Sequence, residues 1–262
     1  MALLKDIELL DNGARFHSVD LHIHTYGASH EVKDPAMTPE ATVDSAVRQG
    51  LSVIAITDHN SNLNVQRAID HALAHHSGKL LVVPGVEVTT AHGHLLAYFA
   101  PERTAELEKF LSRLDLIGER GAENTRTAKS MADTIAEVEK LDGICIAAHI
   151  DRDRTGFDAF APGFQNWKRD IITSPGLYGL ECDSREALRW YSDHDEGGSA
   201  GVERKRLLNA RQAVPALSAR HHLAHLQGSD AHTMNQFEHQ DLDKPWSRIK
   251  LAEFSFNALR VA

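Results

Sequence analysis

Short apolar runs recur along the chain, each ending in polar or charged residues, at positions 18–24, 51–58, 80–88, 94–99, 143–149, 177–182 and 225–230, with a last run at 248–251. Runs of this length, closed by polar residues, predict strands. Helical patterns fill most of the intervals. Thr38-Pro39-Glu40 starts a helix, with Thr as N-cap and Pro at the first helical position; Ala41, Val43, Ala46 and Val47 follow, and Gly50 stops it. Residues 64–76 predict a second helix ending at Gly78, residues 102–116 and 125–141 two more, and residues 203–213 another that closes before Pro215. Strands alternating with helices of this length imply βα units and a parallel sheet. Seven or eight strands predict an α/β barrel, with functional side chains at the C-terminal ends of the strands. No repeat or low-complexity linker breaks the pattern, so residues 1–262 read as one domain.

Most of the composition leaves this picture unchanged. With 42% hydrophobic and 25% charged residues the chain is an ordinary globular sequence. It lacks a run of eighteen apolar residues, so no membrane span is expected, and its N-terminus lacks the layout of a signal peptide. Cys145 and Cys182 lie inside apolar runs and read as buried reduced thiols, which points to the cytoplasm. A net charge of −9 argues against a broad footprint on duplex DNA. It leaves room for a nucleotide or strand end at a metal site, where bound cations add positive charge. Histidine is the departure: there are 17, more than Tyr, Trp and Phe together.

The histidines fall where a barrel would gather them. Asp20-Leu21-His22-Ile23-His24 places two imidazoles on one face of a strand end. Ile56-Thr57-Asp58-His59 ends the second strand. Pro84-Gly85-Val86-Glu87 ends the third with a carboxylate that is costly to bury unless paired or metal-bound. Gly93-His94-Leu95-Leu96-Ala97-Tyr98 begins the next strand, Ala147-Ala148-His149 ends the fifth, and Gly228-Ser229-Asp230-Ala231-His232 ends the seventh. A single histidine at a strand end is more often a hydrogen-bonded surface or core residue than a ligand. So many independent fragments at strand ends point instead to a metal site.

These motifs, in this order, resemble the PHP (polymerase and histidinol phosphatase) superfamily from about Val19 to Leu259. The resemblance implies a distorted (β/α)7 barrel of PHP type and three divalent metal ions. It implies that His22, His24, Glu87 and Asp230 hold the first ion, that Glu87 bridges to a second completed by His94 and His149, and that His30, His59 and His232 hold a third. His92 is the alternative to His94. Imidazole and carboxylate ligands suit Zn²⁺, Mn²⁺ or Fe²⁺. Two such ions bridged by a carboxylate lie about 3.5–4 Å apart and can hold a hydroxide nucleophile between them. Catalytic roles are therefore expected for Glu87, Asp230 and His232. Asp58 is expected to orient an imidazole, with Asp20 and Ser229 in similar supporting roles. Arg152 and Arg154, in the charged loop after His149, are candidates to grip a phosphate, with a solvated salt-bridged loop as the plain alternative. Glu181 matches a family position near the site that is usually no direct ligand. The other ten histidines read as surface or packing residues, with His92 and His239 nearest to interest.

The expected function is hydrolysis of a phosphomonoester or small, nucleotide-like phosphodiester. A nuclease acting on DNA or RNA is the alternative in the same fold, and a degenerate binding or scaffold module the alternative outside catalysis. A metal-dependent amidohydrolase or deaminase fits less well, because no strand ends in the lysine that often bridges metals there. The segment after His149 and the Trp246–Arg260 stretch resemble the PHP domain at the N-terminus of proteins that continue into an SMC- or AAA-like ATPase, which suggests a fused or associated ATPase partner. The stop at Ala262, within a helix pattern, suggests a domain excised from a longer protein.

Overall fold

The computed structural model describes residues 13–122, 124–161, 163–238 and 246–262. His239 lies outside the described residues. The predicted helix start is seen: α1 (Pro39–Arg48) is capped by Thr38, whose Oγ1 accepts the Ala41 N–H at 3.2 Å, and Gly50 turns the chain at φ 76°. β1 (Arg15–Ile23) leads to α1, then β2 (Val53–Ile56), α2 (Val65–His75) and β3 (Leu81–Thr90). β1, β2 and β3 lie parallel and are buried through their central residues, as βα units require.

The parallel pattern stops at β3. Only Ala91 and His92 separate it from β4 (Gly93–Tyr98), too few for a crossover helix, so β3 and β4 form a hairpin and pair antiparallel. β4 is also antiparallel to β7 (Ile144–Ala147), which lies parallel to β8 (Leu177–Glu181), and β8 to β9 (Ala224–Leu226). β10 (Ser247–Leu251) returns antiparallel to the outer side of β1. The eight strands run in the order β10-β1-β2-β3-β4-β7-β8-β9. At its functional end this α/β sheet is nearly closed: the chain after β9 lies against β1, through Asp230 N–H to His22 O at 2.9 Å and His24 N–H to Ala231 O at 3.2 Å.

Around this wall lie α3 (Thr104–Ser112), α4 (Met131–Lys140), α5 (Phe157–Phe160), α6 (Asn166–Ile172), α7 (Gly198–Gln212), α8 (Met234–Glu238) and α9 (Phe256–Val261). The helix expected over 125–141 begins only at Met131. Ser130 caps it by accepting the Asp133 N–H at 3.1 Å. Upstream, the hydroxyls of Thr125 and Thr127 donate to the carbonyls of Glu119 and Leu114, and the chain pairs as a small hairpin, β5 (Leu116–Ile117) with β6 (Arg126–Thr127). The helix expected over 102–116 is likewise shorter: Pro101–Arg103 forms a 3-10 turn, the helix ends at Ser112, and Leu116 joins this hairpin. Cys145 and Cys182 are buried and are not joined in a disulfide. Among the described residues no helix is long and apolar enough to cross a membrane.

Candidate metal centre

Three local geometries bring four ligand atoms together. Strand alternation in β1 turns His22 and His24 to one side, the bridge after β9 delivers Asp230, and β3 delivers Glu87. His22 Nε2 lies 3.2 Å from His24 Nε2, 3.2 Å from Glu87 Oε2 and 3.3 Å from Asp230 Oδ1. His24 Nε2 lies 3.2 Å from Glu87 Oε2 and 3.1 Å from Asp230 Oδ1. A tetrahedral cation with ligands at about 2.0 Å spaces them about 3.3 Å apart. The separations therefore match the edges of a coordination tetrahedron, and the donor set fits a divalent transition metal.

Neighbours decide which nitrogen of each ring faces the centre. The Glu181 carboxylate Oε2 accepts the His22 Nδ1–H at 2.8 Å, which leaves the His22 Nε2 facing the centre. Ser29 Oγ donates to Asp58 Oδ1 at 2.8 Å, and accepts from His24 Nδ1–H at 3.0 Å and from the His59 backbone N–H at 3.0 Å. Asp58 is further held by the Thr25 N–H and hydroxyl, at 2.6 and 2.5 Å. The two Nε2 atoms thus face each other at hydrogen-bond distance with the Glu87 and Asp230 oxygens beside them, an arrangement that needs a positive charge, from a shared cation or a proton, to stabilise it.

Glu87 continues the cluster through its other oxygen. Oε1 lies 2.8 Å from His94 Nδ1 and 3.1 Å from His149 Nε2. His94 stands at the N-terminal end of its strand, yet reaches the functional end of the barrel because β4 runs antiparallel, opposite Thr89. His149 (φ 26°) and Asp230 (φ 51°) are held in the left-handed region, a strain of about 1–3 kcal/mol each that the surrounding hydrogen bonds sustain.

A third grouping forms around His59 and His232. His24 stacks between their rings at 4.6 and 4.4 Å, and ligand atoms of all three converge. The carboxylate beside them is Glu31, at 3.5 Å from His59 Nε2 and 3.2 Å from His232 Nε2. His30 is not brought to this group: its side chain is exposed, and its backbone N–H is taken by Gly121 O at 2.8 Å. That bond ties the loop to the hairpin segment and turns the next side chain, Glu31, inward. His59 Nδ1 and His232 Nε2 are buried with no hydrogen-bond partner among the described residues, although carboxylate oxygens stand 3.2 Å away. Proximity without hydrogen-bond alignment is how ligands of one ion sit.

The charged loop after β7 divides its arginines. Arg152 pairs with both oxygens of Asp183, at 2.6 and 3.0 Å, and with Asp230 Oδ2 at 2.5 Å, so it braces a ligand. Arg154 is 90% exposed and nears only Asp153 at 3.7 Å among the described residues. Asp20 accepts the backbone N–H groups of His22 and Ser229, at 3.2 and 3.0 Å. His92 stacks on Trp167 at 4.5 Å, and it is His94 whose ring reaches Glu87. Glu31, beside His59 and His232, and Asp183, which holds Arg152, are carboxylates that the sequence reading did not select; an acid next to His30 and an acid two residues after Glu181 were the available signals.

The electrostatics demand positive charge at the centre. Burial opposes protonation of both rings, but Glu181, Asp230 and Glu87 outweigh it at His22, holding it well above its ordinary value, and Asp230 and Glu87 outweigh it at His24, raising it to about 9. Against the same burial, the imidazoles hold Glu87 and Asp230 well below the usual carboxylate range. His59 goes the other way: burial lowers it to about 4, so near neutral pH it is uncharged and able to act as a ligand.

Comparison with known proteins agrees with this architecture. At 24% identity over 256 residues, covering 81% of this chain and 84% of the relative, the sequence is similar to the 5'-3' exoribonuclease Rnm of Escherichia coli K12. In structure it is similar to the lesion-specific endonuclease Q of Pyrococcus furiosus, with a TM-score of 0.63 and 16% identity over 94% of this chain. Endonuclease Q bound to a 27-mer duplex with an abasic lesion superposes with a TM-score of 0.62 and 15% identity, over 94% of this chain and 56% of that one. The chain spans 55% of the first of these, little more than half its length. The PHP domain profile matches residues 20–241, and the chain belongs to the PHP domain family.

Proposed function

We propose that the protein is a metal-dependent phosphoesterase whose substrate is a nucleic-acid strand or a short nucleotide fragment of one. The observation that carries the reading is the tetrahedral spacing of His22, His24, Glu87 and Asp230, extended through Glu87 to His94 and His149. In this reading those six residues hold two ions, and His59, His232 and Glu31 hold a third. When bound, such cations lower the pKa of water and neutralise phosphate oxygens as charge develops. The chain's own contribution is to hold the ligands rigidly. Glu181 and Ser29 set the imidazole tautomers, Arg152 fixes Asp230, and Asp58 locks the Ser29 loop. Arg154, exposed in the loop that follows His149, is the candidate to meet a substrate phosphate.

Nucleic acid is favoured over a free phosphomonoester because the exoribonuclease and endonuclease named above act on it. A more specific form of the proposal adds a fused or associated SMC- or AAA-like ATPase that presents the strand. The test is to incubate 5'-labelled single- and double-stranded RNA and DNA with the protein and Mn²⁺, beside a nitrophenyl phosphate, and to follow product length with time. A ladder that begins at the 5' end supports an exonuclease, and internal cuts support an endonuclease. Turnover of nitrophenyl phosphate alone supports a monoesterase. Cleavage that persists undiminished in Glu87→Gln rejects the site, and metal content below one ion per chain supports a scaffold module.

A further inference from the structure

Seventeen histidines are more than the central cluster uses, and two of the remainder meet on one carboxylate. Asp44 projects from α1, His71 from the last turns of α2, and His76 caps the C-terminus of α2. His71 Nε2 lies 2.8 Å and His76 Nε2 2.7 Å from the same oxygen, Asp44 Oδ1. The three ligand atoms all lie within 4.8 Å of one another. The site is distinct from the barrel centre. Asn64, at the other end of α2, bonds to Thr25 beside the central cluster, and eleven helical residues separate the two ends, about 16 Å of helix.

We propose that Asp44, His71 and His76 form a second, peripheral binding site for a single divalent transition-metal ion, which clamps α2 to α1. Two imidazoles and one carboxylate make an N₂O donor set suited to Ni²⁺, Cu²⁺ or Zn²⁺ and poor for Mg²⁺ or Ca²⁺. The histidine side chains are 19% and 19% exposed and Asp44 42%, so an ion enters from solvent without unfolding. Both rings present Nε2 inward. Binding moves each ring proton to Nδ1, so no charge is stranded. Asp44 arrives ionised: partial burial opposes this, but the two imidazoles hold its carboxyl below the usual range. A separate ion pair, Arg67 to Glu40 at 3.0 and 2.9 Å, already joins the same two helices, so the ion's framework is preset.

The experiment loads the full chain with Mn²⁺, titrates in Ni²⁺, and reads Ni²⁺ bound per chain together with the thermal midpoint. Asp44→Asn keeps an oxygen that accepts from either imidazole. The pair His71→Gln with His76→Gln keeps amide donors toward Asp44. Both should fold, and neither touches the central cluster. The proposal expects each to lose one equivalent of Ni²⁺, with at least a tenfold fall in apparent affinity. Each should also lose the Ni²⁺-dependent rise of several degrees in midpoint, with Mn²⁺-supported phosphoesterase activity unchanged. Ni²⁺ stoichiometry and midpoint response equal to wild type in both variants would overturn it, whatever the outcome for the central site.

Discussion

Ser29 does three things with one hydroxyl: it donates to Asp58, accepts from His24 and accepts from the His59 backbone. Removing it in Ser29→Ala should leave His24 free to rotate, and an outer partner of this kind typically contributes about 10–100-fold in metal affinity or activity. Competition with a fluorescent chelator measures that loss, and an unchanged affinity would show that the ring is held by packing alone. Glu181→Gln tests the matching bond to His22. Because glutamine offers an oxygen at the same place but no charge, the expected loss is in the same range and smaller than for Glu181→Ala. At this scale the sequence was informative where a rule links spacing to direction. Period-two alternation put His22 and His24 on one face, and an isolated acid after an apolar run singled out Glu87. It was uninformative at His30 and Glu31, because a loop has no fixed alternation and the bond to Gly121 decides which of the two turns inward.

The β3–β4 hairpin is the element on which the second grouping depends. Gly93, at its turn, has φ 104°, and a Cβ there would stand 2.4 Å from Thr155 O. Gly93→Ala should therefore both strain the turn and push the 155 segment away from His94 and His149, costing about 1–3 kcal/mol. Urea unfolding reads that cost, and a variant with wild-type stability would mean that the loop yields freely. Strands and most helices were legible from apolar periodicity. The direction of β4 was recoverable only from the two-residue interval before it, which leaves no length for a crossover. The segment 125–130 was misread because its apolar and polar order suits a helix, whereas the threonine hydroxyls bond back to carbonyls and stabilise a turn instead.

For the whole molecule, chelation and acid separate two kinds of stability. Ligands that converge from β1, β3, β4, β7 and the segment after β9 cross-link the barrel when they share ions, so prolonged chelator treatment should lower the thermal midpoint by several degrees and abolish activity, with Mn²⁺ or Zn²⁺ restoring both. No change in the midpoint on complete metal removal would argue that the barrel is fully preformed without ions. The acid limb is shared by every carboxylate held below its ordinary value, and Asp195 is one that lies outside the central cluster. Asp195 is buried and bonded to Arg204 at 2.7 and 2.9 Å; burial raises its pKa, but the guanidinium and the Gly197 N–H outweigh this and hold it below its ordinary value. A depressed folded-state value means that the unfolded chain binds the proton first. The stability from this pair is fully present above about pH 4 and is lost as pH falls through the lower, folded value. Asp195→Asn should flatten the loss of stability below pH 4 while lowering stability at neutral pH, as pH-dependent unfolding will show. By itself the sequence determined the strands, the family resemblance and the identities of most converging side chains, because these follow from local periodicity and residue chemistry. Only the tertiary structure decided that Glu31 rather than His30 faces the centre, that Arg152 braces Asp230 while Arg154 stays in solvent, and that Asp44, His71 and His76 meet. Each of those outcomes depends on distances between segments far apart in the chain, which no local pattern encodes.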